Sequence, residues 1–148
     1  MDRSQKVILT CMCQISRRDE ILVLDKVSES YSGVTFPGGH IEKEESITDS
    51  VVREVREETG LHIKNPVMCG LYDWINTDGS RYFVFLYRAD EFEGTLQSSA
   101  EGIVRWIRKE DFLEEKLAQG MEAVFRIINS DGISECFWDK GTLEEIIR

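Results

Sequence analysis

The sequence predicts a single domain of mixed α and β structure over residues 1–148, an α/β (α+β) fold. Short apolar segments rich in β-branched residues indicate strands in both halves of the chain. Between them, residues 46–59 place an apolar side chain at every fourth position, which is typical of a helix packed on one side. A chain of 148 residues has the usual size of one domain. No repeat, low-complexity segment or linker divides it.

The first part of the chain predicts three strands and a tight loop. Residues 7–15 are apolar and β-branched, the polar residues 16–20 follow, and residues 21–24 are the expected hairpin partner. Residues 33–36 predict a short strand that ends at the Pro-Gly-Gly run of residues 37–39. Because proline lacks an N–H donor and glycines adopt backbone conformations closed to other residues, we expect a tight functional loop there.

The helix over residues 46–59 has signals at both ends. Its apolar stripe consists of Ile47, Val51 and Val55. Ser46 and Asp49 have the spacing of a capping box at the start. Gly60 supplies the stop, because glycine readily takes the left-handed conformation that ends helices.

The second half predicts further strands and a second helix. The strands lie at residues 71–75, 81–88 and 104–107. The first two are joined across residues 76–80, whose Asp-Gly step is a hairpin signal. Helical spacing is shown by Leu117, Met121, Val124 and Ile128, which predicts an amphipathic helix whose apolar stripe packs on the sheet. Residues 130–148 fit neither pattern clearly.

Composition narrows the class of protein. Hydrophobic residues make up 41% of the chain and charged residues 31%, and no apolar run approaches the roughly 20 residues that cross a bilayer. No signal or transit peptide is visible after Met1, so we expect a cytoplasmic protein without membrane contact. The four cysteines show no CxxC spacing, which favours reduced thiols over a disulfide or a zinc site.

The formal net charge of −10 argues against a nucleic-acid polymer as partner, because such binding normally uses Lys and Arg to neutralise phosphates. A small phosphorylated ligand remains compatible with an acidic protein. Carboxylates can first collect divalent cations, whose charge then attracts the phosphate. The arrangement of the acids therefore decides which class of ligand is expected.

One group of acids has a helical spacing suited to an ion. Glu54, Glu57 and Glu58 stand at i, i+3 and i+4, and their centre lies about 70° from the centre of the apolar stripe. They would flank the packed face, where a divalent cation would relieve their mutual repulsion. Arg53 could orient one of these carboxylates through a forked hydrogen bond. The alternatives are a solvated acidic face and a surface ion pair.

These residues resemble the box of the Nudix hydrolase family, G-x5-E-x7-R-E-U-x-E-E-x-G-U with U aliphatic. The box spans residues 39–61, and every specified position matches: Gly39, Glu45, Arg53, Glu54, Val55, Glu57, Glu58, Gly60 and Leu61. Weaker similarity covers most of the chain. The resemblance implies an α/β/α sandwich with a mixed β-sheet, and hydrolysis of a diphosphate bond with Mg²⁺ or Mn²⁺ as cofactor.

The resemblance also implies roles for individual residues. It assigns Glu54, Glu57 and Glu58 as metal ligands, together with the backbone carbonyl of Gly38. Glu101 matches the later glutamate that often completes such a site; the alternative is an exposed loop acid. Glu45 is expected either as an additional acid of the metal site or as an acid that supports the metal ligands, and Arg53 is expected as the orienting partner. Hydrolysis needs a carboxylate that takes a proton from water, and Glu54 is the first choice among Glu54, Glu57, Glu58 and Glu101.

The substrate is expected to be a small nucleotide. The TFPGGH run before the box and the RYFVFLYRA strand are similar to bacterial 8-oxo-dGTP diphosphatases, which release pyrophosphate from an oxidised deoxynucleoside triphosphate. The expected substrate-binding residues are Gly39, Phe36, Tyr72, Trp74 and Tyr82, since aromatic side chains can stack on a base. Trp106 is followed by Ile-Arg-Lys, without the acidic pair of some oxidised-purine hydrolases.

Other activities are compatible with the same box. ADP-ribose, a dinucleoside polyphosphate or another nucleoside diphosphate derivative could be the substrate. A Nudix domain can also bind nucleotides as a sensor without turnover, although the complete set of acids argues against this. An isomerase acting on a prenyl diphosphate is a third alternative. A monomer and a homodimer are both expected states.

Overall fold

A computed structural model describes all residues, 1–148, and shows eleven strands and two α-helices. The strands are β1 (Val7–Arg17), β2 (Glu20–Lys26), β3 (Gly33–Thr35), β4 (Gly38–His40), β5 (Leu61–Lys64), β6 (Val67–Ile75), β7 (Arg81–Ala89), β8 (Glu91–Gly94), β9 (Gly102–Arg108), β10 (Glu135–Asp139) and β11 (Glu144–Ile147). The helices are α1 (Ile47–Thr59) and α2 (Met121–Ile128), and a 3-10 helix covers Lys109–Glu114. Neither helix is long and apolar enough to span a membrane.

Nine strands form one mixed sheet. Its order is β11-β10-β6-β7-β1-β2-β3, with β4 paired to β1 and β9 paired to β2, while β5 and β8 form a separate pair. The β1–β7 and β6–β10 pairs are parallel, and the other pairs are antiparallel. The predicted hairpins β1–β2 and β6–β7 are both present.

The two helices cover opposite faces of the sheet. Leu86 of β7 belongs to the core cluster that contains α2, whereas the next residue, Tyr87, belongs to the cluster that contains Val51 and Val55 of α1. Because successive side chains of a strand point to opposite faces, these two clusters lie on the two sides of the sheet. The predicted α/β/α sandwich with a mixed sheet is therefore confirmed.

Helix α1 has the predicted bounds. The Ser46 hydroxyl accepts a hydrogen bond from the Asp49 backbone N–H at 3.0 Å and thereby caps the first turn. Gly60 ends the helix with a φ of 77°. A side chain at Gly60 would lie 2.5 Å from the carbonyl oxygen of Thr95, so both the backbone angle and the packing require glycine.

The second helix was predicted too long at its start. Leu117 lies in an extended segment that bridges to Val34 of β3, and α2 begins only at Met121. Gly120, with a φ of 84°, separates the two conformations. Leu117 thus has the helical spacing of the stripe, but its neighbours Lys116 and Ala118 form sheet-like hydrogen bonds with Val34, because tertiary pairing with β3 overrides the local pattern.

Three further elements differ from the sequence-based expectations. Gly38 and Gly39 of the expected loop form the short strand β4 on β1. Strands β5 and β8 were not predicted. The unassigned residues near the C-terminus form the hairpin β10–β11, which extends the sheet beside β6.

Candidate functional site

Helix α1 brings several of the predicted acids around one arginine. Arg53 donates to Glu45 at 2.7 and 3.1 Å and to Glu54 at 2.9 Å. The nitrogen that contacts Glu54 also contacts Glu57, at 3.3 Å, and another donates to the His40 carbonyl at 2.9 Å. These bonds hold the pKa of Glu45 below its ordinary value. Arg53 therefore ties α1 to the loop that precedes it.

Glu58 lies on the same helix but is not bound by Arg53, and it is only 4% exposed. Its Oε2 atom is buried without any hydrogen-bond partner. Burial and the nearby charge of Glu54 raise the pKa of Glu58 to about 8, while Lys26 and the Gly38 amide oppose the shift. A buried carboxylate oxygen without a partner is costly, which makes this atom the clearest sign of a missing positive ligand.

The two glycines of β4 permit close approaches at this point. A side chain at Gly38 would collide with the backbone carbonyl of Cys11, and one at Gly39 would overlap the Glu54 carboxylate. Gly38 thus brings β4 directly against β1, and Gly39 brings it against Glu54 of α1. Any larger residue at Gly39 would displace Glu54.

Glu101 lies on the loop before β9, with a side chain that is 58% exposed. Its carboxylate pairs with the Lys26 ammonium at 3.8 Å, and its charge contributes to the raised pKa of Glu58. Glu101 and Glu58 therefore share a neighbourhood in which Lys26 is the cation. Lys26 was not identified from the sequence, because its role depends on the pairing of β2 with β9.

The donor set fits a divalent cation in its chemistry. Mg²⁺ and Mn²⁺ prefer carboxylate and carbonyl oxygens, which Glu54, Glu57, Glu58 and the Gly38 backbone provide. The unpartnered Oε2 of Glu58 is the atom that such a cation would satisfy. The expected convergence of three carboxylates is not present in this arrangement, since no three acidic, imidazole or thiol groups form a ready-made ion site. Arg53 holds Glu54 and Glu57, whereas Glu58 faces inward.

A cleft of about 600 Å³ runs from Glu58 to a group of aromatic side chains. We call the part lined by Lys26, Gly38, Gly39, His40 and Glu58 the acidic end, and we include in it the acids that Arg53 holds beside it, Glu45, Glu54 and Glu57. The aromatic end is the part lined by Tyr31, Tyr72, Trp74, Tyr82, Gln119 and Gly120. All charged residues that line the cleft belong to the acidic end. The aromatic end is consequently neutral.

The aromatic end has a preformed flat surface. The rings of Trp74 and Tyr82, directly opposite each other on β6 and β7, stack with centroids 4.3 Å apart at an angle of 9°. Tyr72 meets Trp74 edge-on. The Trp74 indole N–H donates to Asn76 at 2.9 Å, which fixes the ring. Such a surface can stack on a planar ligand.

The expected substrate residues differ in their surroundings. Tyr72, Trp74, Tyr82 and Gly39 all line the cleft. Phe36 also lines it but is 1% exposed and stacks on Phe112 in the core.

Trp106 does not line the cleft; it stacks on Phe92 below the Arg17 guanidinium. Tyr31 and Gln119 were missed, since no local pattern marks them.

Comparison with known proteins identifies the family. The model of the NUDIX domain matches residues 6–126. The chain belongs to the Nudix family. The Nudix hydrolase YvcI of Bacillus subtilis is 35% identical over 113 residues, which cover 73% of this chain and 70% of that protein. The crystal structure of the mutator MutT protein of Bacillus halodurans has a TM-score of 0.78 and 30% identity, and the match covers 94% of each chain.

A further relative is matched over a shorter segment. The 8-oxo-dGDP phosphatase NUDT18 of Danio rerio is 33% identical over 86 residues, which are 58% of this chain but only 25% of that protein. The family match includes the box and the strands around the cleft. It ends before the hairpin β10–β11.

Proposed function

We propose that this Nudix protein is a metal-dependent pyrophosphohydrolase that converts a deoxynucleoside triphosphate, oxidised or unmodified, into a nucleoside monophosphate and pyrophosphate. The observation behind the proposal is one cleft with a buried, unpartnered carboxylate at one end and a neutral aromatic surface at the other. The first end suits a cation and its phosphates, and the second suits a base. The NUDT18 relative is named an 8-oxo-dGDP phosphatase, which supports a nucleotide substrate.

In this proposal Glu54, Glu57, Glu58 and the Gly38 carbonyl hold Mg²⁺ or Mn²⁺, with Glu45 and Glu101 as additional acids. When bound, the cation would neutralise phosphate oxygens and make a water molecule more acidic. Glu54 is the general base: Arg53 binds its Oε1 and leaves Oε2 free to accept the proton of the attacking water. The water oxygen bonds to the first phosphorus, and the bond from that phosphorus to the pyrophosphate oxygen breaks. Arg53 acts as the residue that orients Glu54.

The aromatic end would bind the base by stacking on Trp74 and Tyr82, with Tyr72 and Gly39 completing the wall. A guanine base presents N–H donors, which a carboxylate would recognise. No carboxylate lines the aromatic end. We therefore expect a broad preference among bases rather than a strict requirement for 8-oxoguanine. Stacking tolerates different bases, since each has a π-face.

A screen of substrates tests the proposal. The protein is incubated with Mg²⁺ and, separately, with unmodified and oxidised deoxynucleoside triphosphates, ADP-ribose and dinucleoside polyphosphates, and phosphate and pyrophosphate are measured apart. Pyrophosphate release that depends on Mg²⁺ is the expected result. Hydrolysis confined to ADP-ribose or dinucleoside polyphosphates would show that the substrate is not a deoxynucleoside triphosphate. Nucleotide binding without turnover would indicate a sensor.

A further inference from the structure

Outside the acids of α1, the ion-pair network with the most hydrogen bonds is centred on Arg105 of β9. Its guanidinium donates two hydrogen bonds to Asp25 of β2, at 2.7 and 3.0 Å, and two to Glu115, at 3.0 and 2.9 Å. Most surface ion pairs contribute little, but two-point arginine–carboxylate pairs in a network are the exception. The guanidinium lowers the pKa of Glu115, as expected for a close pair.

Glu115 begins a segment, residues 115–120, that we call the α2 lead-in. Its middle is paired with β3: the Val34 N–H donates to the Lys116 carbonyl at 2.9 Å, and the Ala118 N–H donates to the Val34 carbonyl at 3.0 Å. Gly33 packs against it so closely that a side chain there would lie 2.8 Å from the Ala118 nitrogen. The α2 lead-in is therefore an extended strand-like segment, held at its first residue by Arg105.

The last residues of the α2 lead-in line the aromatic end of the cleft. The Tyr31 hydroxyl donates to the Gln119 carbonyl at 3.4 Å. Gly120 lies over the Tyr72 hydroxyl, since a side chain at this glycine would be 3.1 Å from that oxygen. A shift of the α2 lead-in would thus move the wall that faces the Trp74–Tyr82 surface.

The second partner of Arg105 connects it to the other end of the cleft. Asp25 directly precedes Lys26, which lines the acidic end and pairs with Glu101. We propose that Arg105 is a positioning residue for the substrate: by binding Asp25 and Glu115 at once, it fixes the α2 lead-in relative to β2 and so sets the width of the cleft. This inference rests on the proposed function, and it adds a residue that never touches the nucleotide.

Arg105→Gln tests the inference, with Arg108→Gln as the matched control. Arg108 lies on the same strand, is 58% exposed and contacts Glu110 at 2.8 Å, away from the α2 lead-in. We expect Arg105→Gln to raise KM for a deoxynucleoside triphosphate about tenfold while kcat stays within about twofold, because only binding is altered. Arg105→Lys retains the charge but cannot form both two-point pairs, so its KM should lie between those of the wild type and Arg105→Gln. Arg108→Gln should leave both constants unchanged.

A second measurement does not depend on turnover. Amide hydrogen exchange at Val34 and Ala118 reports the pairing of the α2 lead-in with β3, and it should become at least about tenfold faster in Arg105→Gln but not in Arg108→Gln. If the wild type hydrolyses no triphosphate, the proposed function fails. In that case the role of Arg105 is tested by this exchange and by the dissociation constants of dAMP, dCMP, dGMP and dTMP, measured from the NMR signal of the Trp74 indole N–H. Arg105→Gln should then show faster exchange and larger dissociation constants than the wild type.

Three results would overturn the inference. One is unchanged exchange at Val34 and Ala118. Another is faster exchange with unaltered KM or monophosphate affinity, which would make Arg105 a stabilising residue only. The third is an equal loss in kcat and kcat/KM. Circular dichroism checks that each variant is folded, and Arg105→Lys provides the milder change should Arg105→Gln not fold.

Discussion

The acidic and aromatic ends of the cleft differ in charge, in origin and in what holds their side chains. The acids Glu45, Glu54, Glu57 and Glu58 lie within one helix and the loop before it, and Arg53 binds three of them. The aromatic end is assembled from β6, β7, the β2–β3 loop and the α2 lead-in, which are far apart in sequence. The acidic end thus comes from one short stretch of chain and contains a buried carboxylate oxygen without a hydrogen-bond partner. The aromatic end comes from several distant segments and carries no charge. This difference predicts that mutations at the two ends separate turnover from binding.

The largest effect is expected at the acidic end. Glu58→Gln and Glu57→Gln should each lower kcat at least about a hundredfold, equivalent to about 2.7 kcal/mol of activation free energy, with the fold intact. Gln preserves the size of the side chain but removes the charge that a cation needs. Steady-state kinetics with Mg²⁺ measure the effect, and Glu44→Gln, which changes an exposed acid of the loop before α1, is the control. Near-normal turnover in both variants would remove the metal-site assignment.

The aromatic end should show the opposite kinetic pattern. Trp74→Leu is expected to raise KM about thirtyfold with kcat within about threefold, because stacking on a base contributes roughly 1–3 kcal/mol. Trp106→Leu is the matched control, since Trp106 is also half-buried but lies outside the cleft. Equal changes in KM for the two variants would show that the aromatic end does not bind the base. A fall in kcat alone for Trp74→Leu would place this ring at the reacting phosphates instead.

A buried acid behind the aromatic surface predicts a pH effect on stability. Asp73 lies between Tyr72 and Trp74 on β6 and is 1% exposed. Burial and the neighbouring Glu135 raise the pKa of Asp73 to about 6, against the influence of Arg81. The folded protein thus binds a proton on Asp73 at pH values where the unfolded chain, with its ordinary pKa of 3.8, has lost it. The free energy of unfolding should therefore fall as pH rises from about 4 to above 6.

Asp73→Asn tests this prediction, because asparagine cannot ionise. The fall is about 3 kcal/mol in the wild type for a pKa raised from 3.8 to about 6. It should be reduced in Asp73→Asn and retained in Asp90→Asn, an exposed acid between β7 and β8. Urea unfolding at several pH values measures it. An identical pH dependence in Asp73→Asn and the wild type would show that Asp73 is ionised in the folded protein throughout this range.

The sequence predicts the acidic end far better than the aromatic end, and the reason is physical. The limits of α1 follow from Ser46 and Gly60, whose effects act within one turn of the helix. The spacing of Glu54 and Glu58 is likewise a property of the helix itself. Gln119 and Lys26, by contrast, reach the cleft only through the pairing of β3 with the α2 lead-in and of β2 with β9. No pattern within a short window encodes such pairing.

The errors in the fold have the same origin. Leu117 has the spacing of the α2 stripe, yet its neighbours bond to Val34. Strands β5 and β8 have four residues each and pair only with each other. Strand β10 is defined by its parallel alignment with β6, a partner more than sixty residues earlier in the chain. Local propensity decides such segments weakly, so tertiary pairing determines their structure.

The smallest expected effect tests whether the acidic end depends on the stability of its own helix. Ser46→Ala removes the hydroxyl that caps α1 and should lower the free energy of unfolding by about 1 kcal/mol. Because Arg53 still ties α1 to Glu45, we expect kcat and KM to stay within about twofold of the wild type. Thermal unfolding and kinetics measure the two quantities, and Ser32→Ala, an exposed serine, is the control. A large loss of turnover with unchanged stability would mean that the cap positions the carboxylates directly. The contacts of Arg53 would then not be sufficient to hold the acids of the acidic end in place.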